Sequence, residues 1–148
     1  MNFEKYVAKG NLFVKEVAEE LGHPDDRHRA ARVMRAVLHA MRRRLTLEES
    51  FDLLAQLPMC IKAVYVDGWK PSLQPEKIRH IDDFIDTVME EDGRTAAKDF
   101  ATREEAIQAA KAVFRVIKRH VSDGEIQDVT SSLPKQLRAL WEEETPVA

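Results

Sequence analysis

The sequence predicts an all-α fold of about eight helices, set out as two pseudo-repeats of four and packed as one compact helical domain. Three observations carry that expectation. Apolar residues recur at helical spacing, most clearly at Ala30, Val33, Met34, Val37, Leu38, Met41 and Leu45, which trace one stripe of an amphipathic helix. No segment alternates β-branched and polar residues between turn signals, so no strand is expected. The third observation is a repeat: Ala30 to Tyr65 matches Ala106 to Trp141 without a gap, 76 positions later, with nine identities over 36 aligned residues.

The identities include Arg43/Arg119, Glu49/Glu125, Leu57/Leu133 and Pro58/Pro134, and a second block matches at an offset of 71, where Phe13, Val17, Glu20 and Gly22 answer Phe84, Val88, Glu91 and Gly93. The difference between the offsets falls between helices, where insertions are tolerated. Each copy is too short to bury its apolar faces well alone, so the two should share a core. The expected organisation is a single domain over 1–148, with a first repeat at 1–68, a connector at 69–75 and a second repeat at 76–148.

In chain order, Phe3 to Leu21 reads as helix with a break at Gly10-Asn11 and a stop at Gly22. Asp25 or Asp26 caps the next helix, which runs from about Arg27 to Arg44 and carries seven arginines and no acid. Thr46 and Glu49 form a capping box for a helix burying Leu47, Phe51, Leu54 and Leu57, and Ser122 with Glu125 repeats the device. Pro58 lacks an N–H and suits the first turn of a further helix, whose inward residues are Ile61, Val64 and Tyr65. Two prolines stiffen the connector from Trp69 to Pro75. The second copy opens near Glu76 with a helix to Glu91, passes through a polar stretch to a third capping box at Thr102 and Glu105, and continues with helices over 106–121, 125–132 and 134–144. The tail Glu142-Glu143-Glu144-Thr145-Pro146 is expected to fray.

Composition narrows the function classes. Twenty-three Lys plus Arg against 26 Asp plus Glu give a net charge of -3, which argues against nucleic-acid binding by overall charge alone. Hydrophobic residues at 44%, with five Gly and six Pro, exclude a low-complexity chain. Cys60 is the one cysteine, so no intrachain disulfide forms and a reducing compartment is expected. No apolar run reaches the roughly 20 residues of a membrane span, and the first residues lack a signal peptide's apolar segment. A cytoplasmic protein with no membrane contact is the expectation.

The main candidate site is a basic helix face. Arg32, Arg35, Arg42 and Arg43 lie opposite the apolar stripe with His28 and His39, and Lys111, Arg115, Lys118 and Arg119 keep the second copy cationic. Such a row can track phosphates or pair with acidic side chains of a partner. Two structural readings compete and are preferred: a solvated face, or neutralisation inside the fold by Asp82-Asp83-Asp86 and Glu90-Glu91-Asp92.

Other chemistry finds little support. His28 and His39 stand about 16 Å apart along a helix, too far for one metal ion, and no His-x3-His or Cys-x2-Cys spacing occurs. Cys60 follows a helix start but has no evident base, and reads as a small core residue. Tyr65 and Trp141 fall on apolar stripes, while Trp69 is expected to plug the seam between copies. Asp52 and Asp128 recur and are expected to brace against Lys62 or Arg138. Gly-rich phosphate loops and nucleophile elbows are absent, so neither a cofactor nor a catalytic set is expected.

Ala55-Gln56-Leu57-Pro58-Met59, Tyr65-Val66-Asp67-Gly68-Trp69-Lys70-Pro71 and Gly124-Glu125-Ile126-Gln127-Asp128-Val129, followed by Leu133-Pro134 and Leu140-Trp141, resemble a bacterial family known as domain of unknown function 2267. The resemblance covers nearly the whole chain in the family's own order. It implies an all-helical fold with two related halves and cytoplasmic bacterial residence, and it implies no activity. The reading that follows is a non-enzymatic helical interaction module whose grooves or basic face receive another macromolecule, a protein ahead of a nucleic acid. Weak, sequence-nonspecific binding of nucleic acid through the basic face comes second, and an enzyme with an unrecognised site third.

Overall fold

In the computed structural model, which describes residues 1–142, nine α-helices and one 3-10 turn carry the described residues, and none of these residues lies in a strand. They are α1 (Phe3–Glu20), α2 (Arg27–Arg44), α3 (Leu47–Gln56), α4 (Met59–Val66), α5 (Ile81–Asp92), α6 (Ala96–Asp99), α7 (Arg103–Arg119), α8 (Asp123–Thr130) and α9 (Lys135–Glu142). Eight exceed one turn and α6 is a single turn, which agrees with the expected all-α class.

The two basic helices lie at the centre. α2 packs against α1, α4, α5 and α7, and α7 against α1, α2, α5 and α9. Contacts therefore cross the connector: α2 meets α5, α1 meets α7, and α3 meets α8. The core is one continuous cluster in which Phe114 stacks on Trp141 at 4.1 Å between ring centroids and tilts against Phe84 at 6.1 Å. The starts of α7, α8 and α9 (Arg103, Asp123, Lys135) fall 76 residues after those of α2, α3 and α4 (Arg27, Leu47, Met59).

Helix ends follow from local chemistry. At the end of α1 the His23 amide donates to Ala18 O at 3.1 Å and the Gly22 amide to Glu19 O at 3.0 Å, with Gly22 at φ 82°, the Schellman closure that glycine permits. Asp26 caps α2 by accepting from the Arg29 amide at 3.0 Å. Thr46 and Glu49 form both bonds of a capping box. Thr102 caps α7 in the same way, but the Glu105 carboxylate takes the Ala101 amide at 2.9 Å, one residue before the expected partner.

Five local expectations change. α1 runs unbroken through Gly10, because α4 crosses there: a Cβ on Gly10 would sit 2.8 Å from Cys60 Cβ. The helical cost of glycine, about 1 kcal/mol, is offset by that close packing. α3 turns Ser50 and Leu53 inward and leaves Phe51 56% exposed, since Ser50 Oγ meets the buried Tyr65 hydroxyl at 2.6 Å. Pro58 is the residue before α4 and not its first helical residue. α5 begins at Ile81, not Glu76, because the preceding segment is held straight across α2: the Glu76 amide donates to Arg43 O at 3.0 Å and Arg44 Nε to Ile78 O at 2.9 Å. The polar stretch after Gly93 is folded into the 3-10 turn and α6. The expected fraying of the acidic tail falls on 143–148, outside the described residues.

Candidate functional site

Most of the candidate cations are bound within the protein. Arg43 holds Glu76 through Nε at 2.6 Å and Nη2 at 2.9 Å, and its Nη1 lies 3.4 Å from Glu90 and 3.5 Å from Glu91 on α5. His39, one turn earlier, points Nδ1 at Glu91 from 4.0 Å. On the other basic helix Arg115 Nε meets Glu20 of α1 at 3.2 Å, and Arg119 pairs with the same carboxylate. Glu91 and Glu20 are thus each gripped by the helix that packs across from them, at positions 76 apart on the basic helices (39 and 115, 43 and 119) and 71 apart on the acidic ones (20 and 91). Arg42 Nη1 donates to Tyr65 O and Asp67 O at 2.7 Å, and Lys118 Nζ to Trp141 O at 2.8 Å. These are carbonyls at or near the C-terminal ends of α4 and α9, where a helix lacks its own donors.

Arg32 enters a buried acidic cluster that sequence reading did not find. Its Nε and Nη2 meet Asp99 Oδ2 and Oδ1 at 2.9 and 2.7 Å, and Arg29 donates to Asp99 O at 3.1 and 2.8 Å. Burial pushes the Asp99 carboxyl up, but the bonds from Arg32, with the neighbouring Asp92 acting the same way, outweigh it and hold Asp99 below the usual range. Burial, then the neighbouring Asp99, pushes Asp92 up to about 6. Thr95 Oγ1 satisfies Asp92 Oδ1 at 2.9 Å, while Oδ2 is buried with no partner among the described residues.

A carboxyl that is harder to ionise in the folded chain contributes stability below its unfolded pKa of about 4 and loses it as pH rises through its folded value. Asp92→Asn removes that loss, so the variant should exceed the parent by about 1–2 kcal/mol at pH 7.5, a difference that shrinks toward pH 4. His39 works in the opposite sense, because burial lowers its pKa and its contribution is lost as pH falls below about 6.5. It is common to both proteins and cancels in the difference. Urea unfolding of the pair across pH 4 to 8 measures the effect, and equal stability at pH 7.5 would contradict it.

Arg35 stands apart. It is exposed and makes no hydrogen bond or ion pair with any described residue. Beside it a groove of about 360 Å³ runs between α1 and α4 with α2 as its floor, lined by Val7, Gly10, Asn11 and Val14, by Ala31, Arg32 and Met34, and by Cys60, Ile61 and Val64. Arg32 and Arg35 are its charged residues, and no carboxylate lines it. The thiol of Cys60 faces Gly10 across the narrowest point, 3.6 Å from where a Cβ would stand. A second, more polar cavity of about 330 Å³ lies between Arg42, Arg43 and the segment from Trp69 to Glu76, with the two arginines bonded as above.

The sequence named the eight cations, but the fold distributes them. Arg32, Arg42, Arg43, Arg115, Lys118 and Arg119 donate to the protein's own carboxylates and carbonyls. Lys111 is half-buried and has an interaction of its own, and Arg35 lines the groove. His39, expected on the wet face, is fully buried and donates Nε2–H to Val64 O at 2.7 Å, because α4 and α5 cover that side of α2. Trp69 packs edge-on against Tyr65 of α4 and Phe51 of α3, at 5.6 and 6.4 Å. Arg138 lies 4.0 Å from Glu142. Asp99, Arg29 and Glu20 escaped the sequence reading, which had named Asp92 only among the acidic segments; the repeat of Glu20 at Glu91 was the one available signal.

No helix of the described residues is long and apolar enough to cross a membrane. Comparison with curated proteins finds no match. A family profile described as "Uncharacterized conserved protein (DUF2267)" matches residues 10–140, in keeping with the motifs at Leu57-Pro58, Tyr65 to Pro71 and Gly124 to Val129, and the chain belongs to that family.

Proposed function

We propose that the chain is a non-enzymatic helical interaction module, built as one domain from two related halves, whose partner is a protein. The observation that carries this reading is the apolar groove beside Arg35, a surface left over after six of the eight candidate cations have been used in holding the protein together. An exposed apolar groove with a polar edge is the usual form of a partner site. Converging groups of a catalytic kind do not line it: its polar side chains are Asn11, Arg32 and Arg35, with the Cys60 thiol.

Nucleic-acid binding through the basic face is the weaker reading. Phosphates would have to displace Glu20, Glu76, Glu91 and Asp99 from the arginines that hold them. The expected result is no retention of duplex DNA or RNA on the full chain even at low ionic strength. Retention that weakens steeply with added salt would favour the polyanion reading instead. A substrate screen giving turnover abolished by one polar substitution would overturn the non-enzymatic assignment.

A further inference from the structure

The groove can be read further, on the footing of the interaction reading above. We infer that it receives a short amphipathic, acidic helix of a partner protein, with apolar side chains seated among Val7, Val14, Met34, Ile61 and Val64 and a carboxylate bound by Arg35.

Shape is the first argument. Val7 and Val14 share one face of α1, and Phe3, 68% exposed, extends the same stripe one turn further out. From Phe3 to Val14 the stripe is about 16 Å long, enough to seat a helix presenting apolar residues at i, i+4 and i+7, which span about 10 Å. An elongated, open, apolar trough suits a helix face.

The second argument comes from the other half, where the matching positions are filled. At the offsets of 71 and 76, Gly10 becomes Ile81, Cys60 becomes Gln136, Val64 becomes Leu140 and Val7 becomes Ile78. Val7 is 50% exposed, whereas Ile78 is 4% exposed and Leu140 is buried. Gln136 Oε1 accepts the Ile81 amide at 2.9 Å, so side chains of this chain close the space there. In the first half small residues leave the corresponding space open.

Charge selects the sign of the occupant. Arg35 has no partner among the described residues, whereas Arg32, one turn earlier on the same helix and also in the groove, is paired with Asp99. No acidic side chain lines the groove to balance Arg35. A carboxylate beside Arg35 would gain a charge-assisted hydrogen bond at the edge of an apolar surface, and a lysine there would meet like charge.

The test uses the full chain, labelled with ¹⁵N, and two synthetic peptides about four turns long. One carries Leu at i, i+4 and i+7 flanked by Glu, and the other has every Glu replaced by Lys. The acidic peptide should shift the amides of Val7, Val14, Met34 and Val64 and bind about tenfold or more tightly than its lysine twin. Arg35→Glu, an exposed change, should invert that preference while leaving the circular dichroism spectrum unchanged. Equal binding of the twins, shifts confined to another surface, or an Arg35→Glu variant that keeps the preference would overturn the inference. Decanoate occupying the groove where the peptide does not would assign it to a small amphiphile and overturn it. So would groove shifts that depend on the protein's own concentration, which would assign it to a second copy of the chain. Failure of both peptides sinks the groove assignment alone; the module reading falls separately, by turnover or by salt-sensitive polyanion binding.

Discussion

Truncating Trp141 to alanine should cost about 3–5 kcal/mol, the range for removing a large aromatic from a packed core. Trp141 is fully buried, stacks on Phe114 at 4.1 Å, and through it leans on Phe84 of α5. Removing the indole therefore opens a void where α5, α7 and α9 meet. The bond from Lys118 survives, because it goes to the Trp141 carbonyl and not to the side chain. Trp141→Phe supplies the control. Nε1–H is buried with no partner among the described residues, so phenylalanine keeps a stacked ring and also removes an unsatisfied donor. Its cost should be about 1–2 kcal/mol, set by the lost volume. Urea unfolding followed by far-ultraviolet circular dichroism measures both variants, and similar losses for alanine and phenylalanine would show that the stack is not what matters.

The second large effect is expected at Asp99. Its side chain has no exposed surface and accepts both arms of the Arg32 guanidinium, which is itself 30% exposed. Asp99→Ala leaves that cation facing a buried hole. Breaking a fully buried pair costs about 3–5 kcal/mol, and partial solvation of Arg32 lowers the expectation here to about 2–4 kcal/mol. Removing the cation as well, in Asp99→Ala with Arg32→Met, should recover more than half of the loss, because no uncompensated charge remains. A further signature separates this account from simple loss of packing. Asp92 owes part of its raised pKa to Asp99, so its carboxyl should titrate closer to the ordinary range in Asp99→Ala, which carboxyl NMR would read directly. An unmoved Asp92 titration would sever the proposed coupling.

Elements whose cause lies within one or two turns of chain were legible in advance. The stop at Gly22, the cap at Asp26 and the boxed start of α3 each depend on a residue and a partner no more than about five positions away. The inward stripe of α2 was equally plain, because 3.6-residue periodicity is a local property. Errors came where a distant segment intervened. The unbroken α1 depends on Cys60 crossing Gly10, and the late start of α5 depends on Arg43 and Arg44 holding the segment before it. Phe51 looked like core from its spacing but was displaced by Ser50, whose hydroxyl meets Tyr65.

For the candidate site the division is sharper. Sequence alone determined the helical class, the family motifs, the correspondence at an offset of 76 residues and the identity of eight cations. It could not determine what those cations face: Arg32 finds Asp99 67 positions away and Arg115 finds Glu20 95 positions away. Periodicity assigns a side of a helix, but whether that side meets water, carboxylate or another helix is set only when α1 closes on α7 and α5 on α2. The open groove beside Arg35 arises the same way, from Gly10 and Cys60 standing opposite one another, where the positions 71 and 76 residues further on hold Ile81 and Gln136.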